Sequence, residues 1–235
     1  MITPQINKTM EKNMEKIPEN TEIIDENIPD EKSGVYLRGH IKIFDPESGE
    51  VFVDKPNAIH YENISEAIAY TLANKGQSYI YEMHFGNGGT SVDPTGIINY
   101  LPSNTNTSNS NLYNPTFAKI VDDTNALNVD PTRNKMEIRH TPGAVFTDIV
   151  ISCLLDYGEP SGQSAFDNST NLNGTYIFDE LGLKARSTDN SSGLTTTGKL
   201  LTHVVFHPVQ KSLNRQIQIN YTVRIQTLTN LSSIG

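Results

Sequence analysis

Residues 216–225 alternate without a break. Ile217, Ile219, Tyr221, Val223 and Ile225 stand between Gln216, Gln218, Asn220, Thr222 and Arg224. A period of two puts all five apolar side chains on one face of a strand. A slip of one residue would bury Gln, Asn and Arg instead, so the pattern fixes the register. Such a face needs a second layer to cover it, which directs the chain toward sheets packed on sheets.

The same period recurs upstream. Val35, Leu37, Ile41 and Ile43 alternate with Tyr36, Arg38, His40 and Lys42. Asp45-Pro46-Glu47-Ser48-Gly49 supplies turn chemistry before Val51 and Val53 resume the alternation, so residues 35–54 are expected to form a hairpin. Tyr79, Tyr81, Met83 and Phe85 form another apolar face, ended by Gly86-Asn87-Gly88-Gly89. Residues 145–155 are apolar on both faces, the pattern of a central strand covered on both sides. Residues 175–185 and 200–207 complete the set, the latter with Leu200, Val204 and Phe206 on one face. One helix is expected, capped by Asn63 with Glu66 three residues on. Its stripe is Ile64, Ala67, Ile68 and Leu72, and Gly76 suits its left-handed stop. With so few helices there are no βαβ crossovers. The fold expected is mainly β, an antiparallel β-sandwich over residues 35–235 with one short helix and an extended N-terminal arm. Three Asn/Ser/Thr-rich linkers, 102–116, 158–174 and 186–199, are long enough to bind, to contact a neighbour or to stay mobile.

Residues 1–34 form the expected arm. They hold eight acids and four lysines, net −4, and too few apolar residues for a core. Ile6, Met10, Met14 and Ile17 would share one helical face, and Ile23 and Ile24 form a second apolar spot. The stripe is too short to hold a helix alone in water, so the arm is expected to order only against a partner. Residues 184–235 carry net +5 in a chain of net −9. That split favours head-to-tail contact between copies, although a solvated surface is the commoner meaning of such charge.

Chemistry finds little purchase. The pI near 5.1 argues against broad nucleic-acid binding, and no apolar run approaches a membrane span. The first twenty residues lack the apolar core of a secretory leader. Gly86–Thr90 is the nearest match to a phosphate loop, but it lacks the Gly-Lys-Ser/Thr ending and is expected to be a tight turn. His203 and His207 would share a strand face about 13 Å apart, too far to hold one ion. Asp122-Asp123 and Asp179-Glu180 are neighbours whose side chains diverge on a strand, which rules out acid–base cooperation there. Cys153 lies in the most apolar segment and is expected to be a buried thiol. The sequence therefore leads to a non-enzymatic protein with no cofactor and no metal.

Two stretches resemble structural proteins of tailed bacteriophage particles. One runs from Gly39 to Tyr100, with GHIKIFDPESGEVFVDKPNAIHYENISEAIAYTLANKG and YEMHFGNGGTSVDPTGIINYLP. The other runs from Thr175 to Ile225, with TYIFDELGLKA and KLLTHVVFHPVQKSLNRQIQINYTVRI. The second is similar to the end of tail-collar and fibre-attachment domains through Glu180, Gly182 and Leu183, then Phe206, Pro208 and Lys211. The resemblance implies assembly at the neck, collar or tail-attachment region of a virion. The partners implied are copies of itself, as a homo-oligomer, and other virion proteins, with no nucleic acid and no membrane. The expected assembly residues are Ile6, Met10, Met14, Ile17, Ile23, Ile24, Lys211 and Arg215. A capsid decoration protein and a carbohydrate-binding module aiding adsorption are the alternatives, the latter weakened by the absence of Trp.

Overall fold

The computed structural model describes residues 34–75, 78–160, 175–186 and 197–228. The arm residues Ile6, Met10, Met14, Ile17, Ile23 and Ile24 lie outside the described residues, as do Gly76 and most of the second and third linkers. The elements are β1 (Gly34–Phe44), β2 (Val51–Ile59), α1 (Tyr61–Leu72), β3 (Ile80–Gly86), β4 (Thr90–Val92), β5 (Ile98–Tyr100), β6 (Pro115–Ile120), β7 (Lys135–His140), β8 (Phe146–Leu155), β9 (Thr175–Arg186), β10 (Thr197–Leu200), β11 (Thr202–Ser212) and β12 (Ile217–Leu228).

The alternation at the chain's end organises one layer. β12 pairs antiparallel with β1 over the whole length of β1, from Gly34↔Leu228 to Phe44↔Gln218. β2 joins β1 through the expected hairpin, whose turn is held by Asp45 Oδ1 accepting from the Glu47 and Ser48 amides. β8 lies on the other side of β12, and β7 is the edge. The second layer runs β6-β3-β9-β11, with β10 added to β9. The two layers are halves of one curled sheet, since Thr202↔Ile59 and His203↔Ala58 tie β11 to β2. All pairings are antiparallel, as a sandwich requires.

The core fills the space between the layers. Ile217, Ile219 and Tyr221 have no exposed side-chain surface and face the expected way. Ile41, Ile43, Ile151 and Cys153 join them from neighbouring strands. The opposing layer contributes Met83, Phe85, Phe178, Leu183 and Phe206, with Phe178 edge-on to Phe85 and Phe206 and stacked on Tyr176. Each large apolar side chain buried here is worth roughly 1.5–3 kcal/mol.

The expectations for β8 and for the helix need correction. β8 is covered mainly on its inner face, which meets the opposing layer; of the outer residues only Leu154 is buried, while Phe146 and Val150 are half-exposed. The helix starts at Tyr61, three residues earlier than its expected first turn. His60 is the cap, its Nδ1 accepting from the Asn63 amide, because the Asn63 side chain is drawn away to the carbonyls of Leu200 and Ser108. Leu72 is 82% exposed rather than part of the docked stripe, which consists of Ile64 and Ala67 with the half-buried Ile68, packed against Ile59, Ala185 and Leu201. The left-handed residue after the helix is Asn74, with φ of 51°.

Candidate functional site

The segment between β3 and β6 leaves the sheet, forms the β4–β5 hairpin and returns through the Asn/Ser/Thr-rich residues 102–114. Such a polar excursion has many backbone groups to satisfy and little apolar surface to hold it. Buried polar side chains do the holding instead. Glu180 Oε1 accepts from the Gly88 and Asn114 amides at 3.1 and 2.8 Å, and Oε2 accepts from the Tyr113 amide at 2.9 Å. His203 Nε2 lies 3.0 Å from the same Oε2, and both side chains are fully buried. The Asn104 amide donates to His203 Nδ1 at 2.7 Å, which leaves Nε2 to carry the proton toward Glu180. Asp179 accepts from the Gly89 and Thr90 amides and from the Thr90 hydroxyl. His60 Nε2 meets Thr107 O at 2.7 Å, so the residue that caps α1 also holds the middle of the loop.

These bonds set the two neighbouring carboxylates apart. Burial pushes Glu180 up, but its bonds from His203 and the Asn114, Tyr113 and Gly88 amides outweigh it and hold the carboxyl below its ordinary value. At Asp179 burial prevails over the Thr90 and Gly89 bonds, and its carboxyl is raised. The two carboxylates do not diverge as expected of neighbouring strand residues: they accept from consecutive amides of the same turn, Glu180 from Gly88 and Asp179 from Gly89. The glycine-rich turn is a turn, as expected, and its amides bind the chain's own carboxylates. Its glycines are required by space: a Cβ on Gly86 would lie 2.6 Å from Asn114 O, and one on Gly88 2.7 Å from Asn114 N.

The motif residues have structural roles. A Cβ on Gly182 would meet Thr202 O at 2.6 Å, so β9 and β11 approach here only with glycine. Leu183 and Phe206 are core, and Pro208 sits where β11 slips register between Val205 and Val209. That irregularity separates the two histidines: His203 is buried on Glu180, while His207 is exposed beside Tyr100 OH. Cys153 is buried as expected, and burial pushes its thiol up to about 12.

Lys211 is not free for a neighbour, contrary to expectation, and Arg215 is engaged within the subunit though partly exposed. Lys211 is fully buried and donates to Glu159 O and Ser212 O at 2.8 and 2.7 Å. Arg215 bonds Asp45 and Glu50 at 2.9 Å each and lies over the Phe52 ring. The same holds for other bases near the chain's end: Lys199 pairs with Glu66, and Arg224 grips Asp148 through two bonds of 2.7 and 2.8 Å. Three of this segment's six bases, Lys199, Arg215 and Arg224, are thus paired with carboxylates inside the subunit.

What the pinned loop borders is a surface cleft of about 1000 Å³. Its floor is the outer face of β1, β2 and β12, with Arg38, His40, Pro56 and Thr222; Tyr61 of α1 and Thr105 and Asn106 of the loop form walls. No local pattern points to this cleft, because its parts lie in five separate segments. A second exposed feature is the β4–β5 hairpin, where Val92, Ile97 and Tyr100 are each more than half exposed. Among the described residues no three His, Cys, Asp or Glu side chains gather as metal ligands, and no helix is long and apolar enough to cross a membrane. No family model, no curated protein and no solved structure matches the chain.

Proposed function

We propose that this chain is a non-enzymatic structural subunit of a tailed bacteriophage particle, assembling at the neck, collar or tail-attachment region as a homo-oligomer. The observation that carries the binding reading is the use made of the buried polar groups. Glu180, Asp179, His203 and His60 are committed to backbone amides and carbonyls of residues 88–114. Fixing a long polar loop in this way presents its walls as a ready-formed surface, which lowers the ordering cost of binding. The exposed apolar hairpin next to it suits burial against another protein. The phage assignment rests on the resemblance of residues 39–100 and 175–225.

The arm is the second element of this reading. Its isolated apolar spots, Ile6 to Ile17 and Ile23-Ile24, would anchor it on a neighbour, with charge setting orientation. Ordering a segment of this length is costly, so the contact forms where neighbours are already held close. Deleting residues 1–30 tests it. The β domain should fold with unchanged circular dichroism while incorporation into particles falls. Undiminished incorporation would remove the arm from the account.

A further inference from the structure

One row of charge crosses the outer face of the sheet. Arg139 of β7 is paired with Asp148 of β8, Asp148 with Arg224 of β12, and Arg224 with Arg38 of β1. Asp148 gives both its oxygens to Arg224. Arg38 therefore stands directly opposite a like charge, a destabilising arrangement in a sheet. Among the described residues Arg38 is the one arginine without a hydrogen bond or ion pair, and it lies in the floor of the cleft. Pro56 and Tyr61 line the cleft with it, Tyr61 66% exposed, together with the polar or charged His40, Asn57, Glu62, Thr105 and Asn106. The cleft thus offers one guanidinium without a partner of its own, with the exposed Tyr61 ring and Pro56 among otherwise polar walls, a match for a segment that joins a carboxylate to aliphatic side chains.

The chain contains such a segment. Residues 22–26 are Glu-Ile-Ile-Asp-Glu, and residues 22–32 hold five acids against one base, Lys32. Glu26 lies eight residues before Gly34, where β1 begins. That is an extended reach of up to about 27 Å, enough to cross to an adjacent subunit. We infer that the Glu22–Glu26 segment of a second copy docks in this cleft, a carboxylate of Asp25 or Glu26 on Arg38 and Ile23 and Ile24 against Tyr61 and Pro56. The inference rests on the assembly reading above, and names the surface on which the arm acts.

Cysteine cross-linking of full-length chains tests it, since the native Cys153 is buried. Copies carrying Glu26→Cys are mixed with isotopically labelled copies carrying Tyr61→Cys, and disulfide-linked pairs are identified by mass. A control mixture uses Leu127→Cys, exposed on the loop before β7. The expected result is linkage between copies at least tenfold faster at position 61 than at 127. Arg38→Glu should abolish most of that excess and Arg38→Lys should keep it. Equal rates at 61 and 127 would overturn the inference. So would indifference to Arg38→Glu, or linkage found only within one chain when both cysteines are placed on the same polypeptide. The experiment needs no particle, so its failure leaves the phage assignment standing, and the failure of that assignment leaves a measured arm contact standing.

Discussion

Replacing Glu180 by Gln changes one oxygen to an NH2 group and leaves size and shape alone. Each carboxylate oxygen of Glu180 accepts two bonds: Oε1 from Gly88 and Asn114, Oε2 from Tyr113 and His203. In either orientation the Gln amide therefore sets its own donor against two donors. Hydrogen bonds to a charged acceptor are worth about 1.5–3 kcal/mol each, so losing two costs about 3–6 kcal/mol. Total stability is of the order of 5–15 kcal/mol, which makes this a large fraction of it. Urea denaturation followed by circular dichroism measures the change. Hydrogen exchange at the Tyr113 and Asn114 amides locates it, since both should lose protection in Glu180→Gln before the core strands do. A loss below about 1 kcal/mol with both amides still protected would refute the view that Glu180 pins the loop.

Ile219 has no exposed surface, so Ile219→Asp should cost several kcal/mol and prevent folding; a melting curve like that of the parent chain would refute the register of β12. Burial pushes the Lys211 ammonium down to about 8 from the ordinary 10.5, so the unfolded chain holds this proton more tightly than the folded one. The burial cost is fully present below pH 8 and is relieved as pH rises, so stability should climb by roughly 2–3 kcal/mol between pH 8 and 10. Lys184, lowered by burial as well, adds in the same sense. A urea midpoint that does not rise over this range, or one that rises equally in Lys211→Met, would contradict the placement of Lys211. Cys153 should react with a thiol reagent at pH 8 at least a hundredfold more slowly in the native protein than in urea, and rapid native labelling would contradict its burial.

The strands with strict alternation were legible because burial of one face is a local pattern. β1, β3 and β12 follow it, as does the start of β2, and the sandwich follows from needing a cover for each face. β6 and β7 were not foreseen, since short edge strands such as Lys135–His140 are polar enough to pass for loop. The helix was visible, but its cap was not, because Asn63 is claimed by carbonyls more than forty residues away in sequence. Long-range polar bonds account for the other misses. Glu180 and His203 showed only as an acidic neighbour and a strand histidine, although they meet across 23 residues and hold a loop some 70 residues upstream. Lys211 looked like surface because lysine usually is; its burial depends on two carbonyls in its own neighbourhood of the fold, Glu159 O and Ser212 O. Arg38 appeared as one ordinary outward residue of an alternating strand, and its isolation follows only from Asp148 being fully engaged by Arg224.

Imaging of intact tailed particles assembled in cells that make this chain, by electron cryo-microscopy at a resolution that traces strands, tests the assembly reading most directly. The account predicts the β domain as a repeated subunit at the neck, collar or tail-attachment region, with the Glu22–Glu26 segment of one copy against Arg38 and Tyr61 of the next. Particles complete without density for this fold, or a lone β domain with no contact to its own copies, would contradict it.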